Sequence, residues 1–395
     1  METLITDWLS AIVRWFHVIA GIAWIGSSFF FIFLDASLRK ESWQQEGIAG
    51  ESWLVHGGGF YKVEKYMVAP ARMPAVLHWF KWEAYSTWLS GFALLVLLYY
   101  VSAGVYLIDP AVAALTPMTA TVIGIGSLVF GWIVYDLMCR ALREHNDWLA
   151  IGGGLVLAAV AVGYTKVFGG RGAFIHTGAL IGTLMVANVF MVIIPNQRKV
   201  VADLIAGRKP DPALGKQAKQ RSVHNNYLTL PVLFMMVSNH YPMVTGHPYN
   251  WALLIAIGIT GGVIRHWFNV KHLTGRRLDW LWAVAAVLVA GMFAFSAWRP
   301  DRVAVDDPQE LVLADVFAVA QQRCTACHSA NPTDPNFQVA PAGMMFDTAA
   351  QFYAARDKVF SQVSTGVMPP GNLTGLTETE RATIVGWYEA GARQD

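Results

Sequence analysis

Cys324-Thr325-Ala326-Cys327-His328 reads CxxCH, the spacing that attaches haem c covalently. Two thiols three positions apart reach the two vinyl groups of one porphyrin. The histidine that follows lies beneath the iron as its proximal ligand. The alternative, half of a zinc site, needs further Cys or His ligands. The one other cysteine, Cys139, lies inside an apolar run. Haem c is attached outside the cytoplasm, so this end of the chain is expected in the periplasm or its equivalent.

A second axial ligand is commonly a Met thioether. Met368 lies in Thr365-Gly366-Val367-Met368-Pro369-Pro370-Gly371-Asn372, where two prolines and the glycines forbid a regular helix and leave an extended loop. Met344 and Met345 are its rivals, in a similar Pro/Gly-flanked stretch. Helical patterns flank these loops from Glu310 to Arg323 and from Thr377 to Ala392, the second opened by a Thr377/Glu380 capping box. The C-terminal part, placed at 309–395, resembles a small class I cytochrome c, which implies an all-α domain. Residues 300–308 read as a short polar linker, and a short tether keeps an electron acceptor at high effective concentration.

Residues 1–299 read as a membrane domain. The chain is 55% hydrophobic and only 14% charged, against about 25% charged in ordinary soluble domains. Eight runs approach the roughly 20 apolar residues that cross a bilayer: 8–34, 84–108, 117–139, 148–166, 173–195, 224–240, 249–268 and 278–298. The expected fold class is therefore all-α, an eight-helix transmembrane bundle followed by the cytochrome domain. Many of the 16 Trp stand near run ends, as interfacial belts do. No Lys or Arg precedes the first run, so it lacks the basic start of a cleavable signal and is expected to stay. With the N-terminus outside, the inner loops carry 18 Lys and Arg and the outer loops 2. The positive-inside rule selects that orientation, which returns the C-terminus to the outer side, where haem c is attached. The basic residues serve orientation, and nothing in the overall charge points to nucleic acid. Membrane lipid is the expected surround, and assembly with further copies is compatible with such a bundle.

Ionisable groups inside spans are costly and usually face the interior for a functional reason. The histidines fall into an outer and an inner layer. One reading is one or two b haems held between helices, with His17 and His176 as the outer pair and His224 with His78, His145 or His266 as the inner one. The other reading is a histidine bonded to a carbonyl or a headgroup. The segment from Trp53 to Glu83 is rich in aromatics, glycine and cations. It is suited either to stacking on a flat anionic ring or to lying at the interface without a ligand.

His56-Gly57-Gly58-Gly59-Phe60-Tyr61, Leu77-His78-Trp79-Phe80-Lys81-Trp82-Glu83-Ala84-Tyr85, Ile194-Pro195-Asn196-Gln197-Arg198 and His224-Asn225-Asn226-Tyr227, followed by CxxCH, resemble the bacterial membrane-bound, cytochrome c-linked urate hydroxylases (the PuuD family) along essentially the whole chain. The His17, Trp24, Gly26 pattern is also similar to small haem-handling membrane proteins of the HemJ/CopD kind. The first resemblance implies oxidation of urate to 5-hydroxyisourate. Electrons would leave through haem c to a soluble cytochrome c or terminal oxidase, in the bacterial inner membrane. On that reading Lys62, Lys65, Lys81 and Arg72 are candidate anion partners. His78, His224 and Glu83 are candidate proton acceptors. All lie on the inner side, about 30 Å of hydrocarbon from an outer haem c, so an inner urate site requires an intervening b haem. The rival functions are a non-catalytic electron-transfer subunit fed by quinol or a partner dehydrogenase, and a haem-delivery protein.

Overall fold

The computed structural model describes residues 2–40, 47–68, 70, 74, 76–298, 305 and 307–395. Arg72 and residues 300–304 and 306 of the expected linker lie outside them. The bundle opens with α1 (Glu2–Ser37), a 36-residue apolar helix. It continues with α2 (Trp82–Leu95), a π turn (Val96–Tyr100), α3 (Ala103–Tyr106), α4 (Pro117–Ala141) and α5 (Asn146–Thr165). Next come α6 (Gly170–Ala187), a second π turn (Asn188–Ile193), α7 (Ile194–Ile205), α8 (Pro212–Val237), α9 (Pro242–Thr245), α10 (Asn250–Thr274) and α11 (Trp280–Ala297).

Six helical stretches carry an apolar window long enough to cross a membrane: Trp8–Ser37, Pro117–Ala141, Asn146–Thr165, Gly170–Ile205, Asn250–Thr274 and Trp280–Ala297. The other two expected runs are helical but of another kind. α2 widens into its π turn and breaks at Val101–Ser102 before α3. α8 starts with a polar half that includes Lys216, Lys219 and Arg221, and it contains Pro231. That proline removes a backbone donor from the helix interior. Gly261 of α10 packs against its ring, where any Cβ would crowd Pro231 Cδ at 2.8 Å.

The chain departs from an all-helical fold in one segment. Residues expected as an inner loop form an antiparallel hairpin, β1 (Ile48–His56) with β2 (Gly59–Tyr66). Gly57 and Gly58 make its two-residue turn with φ of +59° and +78°, the conformation such turns demand and glycine supplies without strain.

α6 is the central helix, buried along most of Gly172–Ala187, with α2, α4, α5 and α8 packed around it. α1 packs on α2 and α10. The outer surface keeps large apolar side chains exposed, among them Trp15, Ile22, Phe130 and Phe293, as helices solvated by lipid tails do.

The C-terminal residues fold as α12 (Leu313–Arg323), α13 (Ala349–Ala354), α14 (Arg356–Ser364) and α15 (Glu378–Glu389). Their core is Val316, Ala320, Phe352, Ile384 and Trp387. Thr377 and Glu380 close the capping box that starts α15. α12 begins at Leu313 rather than Glu310, because Pro308–Glu310 wind into a 3-10 turn. The domain sits on one end of the bundle through backbone contact. A Cβ at Gly246, just past α9, would collide with the Thr365 carbonyl, and one at Gly371 would lie 2.8 Å from the Ile108 carbonyl.

Candidate functional site

Three places gather chemistry. The first is the CxxCH turn. α12 ends at Arg323, and the chain folds back so that Cys327 N and His328 N both donate to the Cys324 carbonyl, at 3.2 and 2.8 Å. The two thiols are free. Burial pushes Cys324 up to about 12 and Cys327 to about 11. His328 Nδ1 donates to the Met344 carbonyl at 3.0 Å, which fixes the tautomer and leaves Nε2 with its lone pair for a metal. Burial holds this imidazole below its ordinary pKa. Cys324, Met344 and Met368 all pack on the same core cluster. The backbone of Met368 is tied down twice: its N–H reaches the Gln362 carbonyl at 3.1 Å, and its carbonyl accepts from Arg381 Nη1 at 3.1 Å.

The second is the seam between the domains. A cavity of about 880 Å³ lies there, lined by Asp109, Lys166, Arg171, Asn250, Asn372 and Arg381. Arg171 Nε and Thr245 Oγ1 are buried on its wall without hydrogen-bond partners.

The third lies deep in the bundle, toward the end away from the C-terminal domain, and consists of two polar layers. Arg221 of α8 donates to Asp136 Oδ1 at 2.6 Å and to Asn188 Oδ1 at 3.1 Å, with its guanidinium 4.9 Å from the Tyr135 ring centroid. Asn188, at the start of the second π turn, donates to Tyr135 Oη and Asn225 Oδ1. Tyr135 Oη lies 2.8 Å from His224 Nδ1. Arg265 of α10 forms the other layer: its Nε donates to Asn226 Oδ1 at 2.7 Å, and its guanidinium lies 3.9 Å from the Phe29 ring centroid of α1.

The candidates named from sequence fall into separate places. His78, Lys81 and Glu83 meet at the start of α2, where His78 Nε2 is 3.7 Å from Glu83 Oε1 and Lys81 lies over the Trp82 ring. His78 is 69% exposed, so this trio is a surface group rather than an enclosed pocket. His224 is not with them; it contacts Tyr135 and Cys139 of α4. On the hairpin, Lys62 pairs with Glu51 and Glu64, and Lys65 pairs with Asp35 of α1. His17 Nδ1 lies 3.0 Å from the Thr87 carbonyl and 3.1 Å from Ser90 Oγ. Its ring rests on Gly91, where a Cβ would be 2.8 Å from Cε1. His176 is fully buried with both nitrogens engaged, Nδ1 by the Gly172 carbonyl at 2.9 Å and Nε2 by Tyr100 Oη at 3.1 Å. It packs on Gly124 of α4. His17 and His176 thus stand on different neighbours.

Asn226 stands in the His224-Asn225-Asn226-Tyr227 motif, which puts amide donors and acceptors at membrane depth, whereas Arg221, Arg265 and Asp136 were not among the candidates named from sequence. Arg265 had a signal: an arginine inside an apolar run is itself a functional-site pointer. Among the described residues, no group of three or more His, Cys, Asp or Glu could hold a bare metal ion. No curated protein and no solved structure matches the chain. A family model described as urate oxidase N-terminal matches residues 3–296, which span the whole helix bundle, and the chain belongs to that family.

Proposed function

We propose that this protein is a membrane-bound oxidoreductase that converts urate to 5-hydroxyisourate and passes the electrons to a soluble cytochrome c or terminal oxidase. The observation that carries the proposal is the urate oxidase family match over residues 3–296, continued in the same chain by the CxxCH domain packed on one end of the bundle. Urate loses two electrons and two protons, and water adds at C5. No oxygen need be consumed and no peroxide need form. An eight-span bundle with the N-terminus and the cytochrome domain outside, in a bacterial inner membrane, is part of the same reading. The bundle geometry supports it: α10 starts at Asn250 beneath the C-terminal domain and ends at Thr274 among the basic segments.

The residues at 324–328 fit haem c. Free thiols at the right spacing, and an imidazole whose Nδ1 is held by a carbonyl, are what the attachment needs. Met368 rather than Met344 would be the second residue to hold the iron, because the Met344 carbonyl is already engaged by His328. Haem c, when attached, supplies a one-electron acceptor. Met368 would be held against the iron by the Arg381 and Gln362 contacts to its backbone.

His17 is the residue that would hold a b haem, which when bound supplies a one-electron carrier within the bundle. The Thr87 and Ser90 contacts occupy Nδ1 and leave Nε2 for iron. His176 would have to release Tyr100 to serve as its partner. In the interior, His224 with Tyr135 forms a hydrogen-bonded pair able to take up a proton. At the surface, His78, Lys81 and Glu83 would meet arriving urate with a cation and a proton acceptor.

The test uses purified full-length protein with urate and oxidised cytochrome c. Two cytochromes should be reduced per urate consumed, with no peroxide. Urate loss that depends on oxygen and yields hydrogen peroxide would overturn the proposal. A pyridine haemochrome assay should show both b and c haem; c alone would remove the His17 relay.

A further inference from the structure

Arg265 is a buried charge with little compensation among the described residues of the bundle. The residue is 4% exposed, its one side-chain hydrogen bond is to Asn226, and no described carboxylate lies within ion-pair distance. A buried guanidinium without a counter-ion is expensive, and no described residue supplies that negative charge.

The surroundings narrow the ligand. Asn226 is fully buried and its Nδ2 has no partner; Asn269 is 5% exposed and its Oδ1 has none. A free donor and a free acceptor therefore flank the cation. Phe29 presents a ring face to the same guanidinium. Asn269 and His272 follow Arg265 at i+4 and i+7, one face of α10. Opposite them, Phe29 and Phe33 are i and i+4 on α1. His272 Nδ1 is also buried without a partner. At His272 this stripe opens into a cleft of about 470 Å³ lined by Phe33, Ser37, Arg39, Lys271 and His272. Its described charged side chains are both cations, which draw anions toward the mouth.

We infer that the α1/α10 seam binds a flat, hydrogen-bonding organic anion, with Arg265 on its charge, Asn226 and Asn269 on its N–H and C=O edges, and Phe29 along the wall. Urate has that chemistry: planar, singly anionic near neutral pH, and edged with alternating donors and acceptors. The assignment of urate rests on the proposed function, and it places the substrate at the end of the bundle away from haem c.

The test is equilibrium dialysis of labelled urate against anaerobic, detergent-purified full-length protein. Asn226→Asp puts a near-isosteric carboxylate against Arg265, and Arg265→Lys removes the planar fork while keeping the charge. Each should weaken urate binding on the order of 10- to 100-fold, while reduction of haem c by ascorbate and the thermal midpoint stay as in the wild type. Wild-type binding in both folded variants would overturn the placement and leave the urate reading intact. Failure of the wild-type protein to bind urate would overturn the urate reading and this inference with it.

Discussion

Arg221 and Arg265 are both buried in the helix bundle, and they meet the cost of burial in opposite ways. Arg221 has Asp136 at 2.6 Å, which in turn holds Arg140, and Asn188 on its other arm. Every partner is supplied by the protein, so this layer acts as a structural clasp between α8, α4 and the π turn after α6. Arg265 has one amide and one aromatic ring, and orphaned polar atoms continue beside it along α10. Two residues of one type in one bundle thus separate by what is missing around them. A satisfied buried charge holds structure together, while an unsatisfied one points to a ligand.

The contrast is most exposed to failure in paired substitutions. Asn226→Asp should carry the largest effect: at urate well below the wild-type Kd, the rate of haem reduction by urate should fall on the order of 10- to 100-fold, in step with binding, with little change in stability. Asp136→Asn, the mirror change, removes the counter-ion of Arg221 and should mainly cost stability. Equal urate loss in the two variants would erase the distinction. Next comes Arg221→Met, which strands Asp136 beside only the exposed Arg140. The loss in thermal or denaturant unfolding should be about 2–3 kcal/mol, below the full cost of breaking a buried pair because Arg140 remains. Arg265→Met should stay within about 1 kcal/mol of wild type by the same assay, since it removes an uncompensated charge. A loss as large as that of Arg221→Met would make Arg265 a clasp too.

A smaller effect separates the bundle from the C-terminal domain. Glu380 is held below the ordinary carboxylate range by the Thr377 N–H and by Arg323. Its folded pKa is depressed, so its contribution to stability is present above the unfolded carboxylate value, about 4.3, and is lost as pH falls through the folded value. Acid unfolding of the C-terminal domain, followed by circular dichroism, should become shallower in Glu380→Gln. An unchanged acid limb would remove Glu380 from the causes.

Much of this was legible in the chain. Helices arose where apolar runs were long, and Thr377 and Glu380 announced the start of α15. The hairpin was not legible in a segment whose aromatics, glycines and cations point equally to an anion site or to the interface, although two glycines at positive φ are what a tight turn between strands needs. Nor could the proposed pairing of His17 and His176 be tested by depth alone. Depth says how far a histidine lies along a helix, not whether Tyr100 or Thr87 has taken its nitrogens. Arg265 was hidden by averaging, because a long apolar run tolerates one arginine. The hydrogen bonds that distinguish Arg221 from Arg265 come from helices far apart in sequence, so only the packed bundle displays them.

Anaerobic addition of urate to the oxidised, purified full-length protein is the most direct test. At urate well below the wild-type Kd, urate should reduce haem c in the wild type and do so on the order of 10- to 100-fold more slowly in Asn226→Asp. Haem c that stays oxidised with urate yet is reduced by quinol would make the protein an electron-transfer subunit, contradicting the proposed activity.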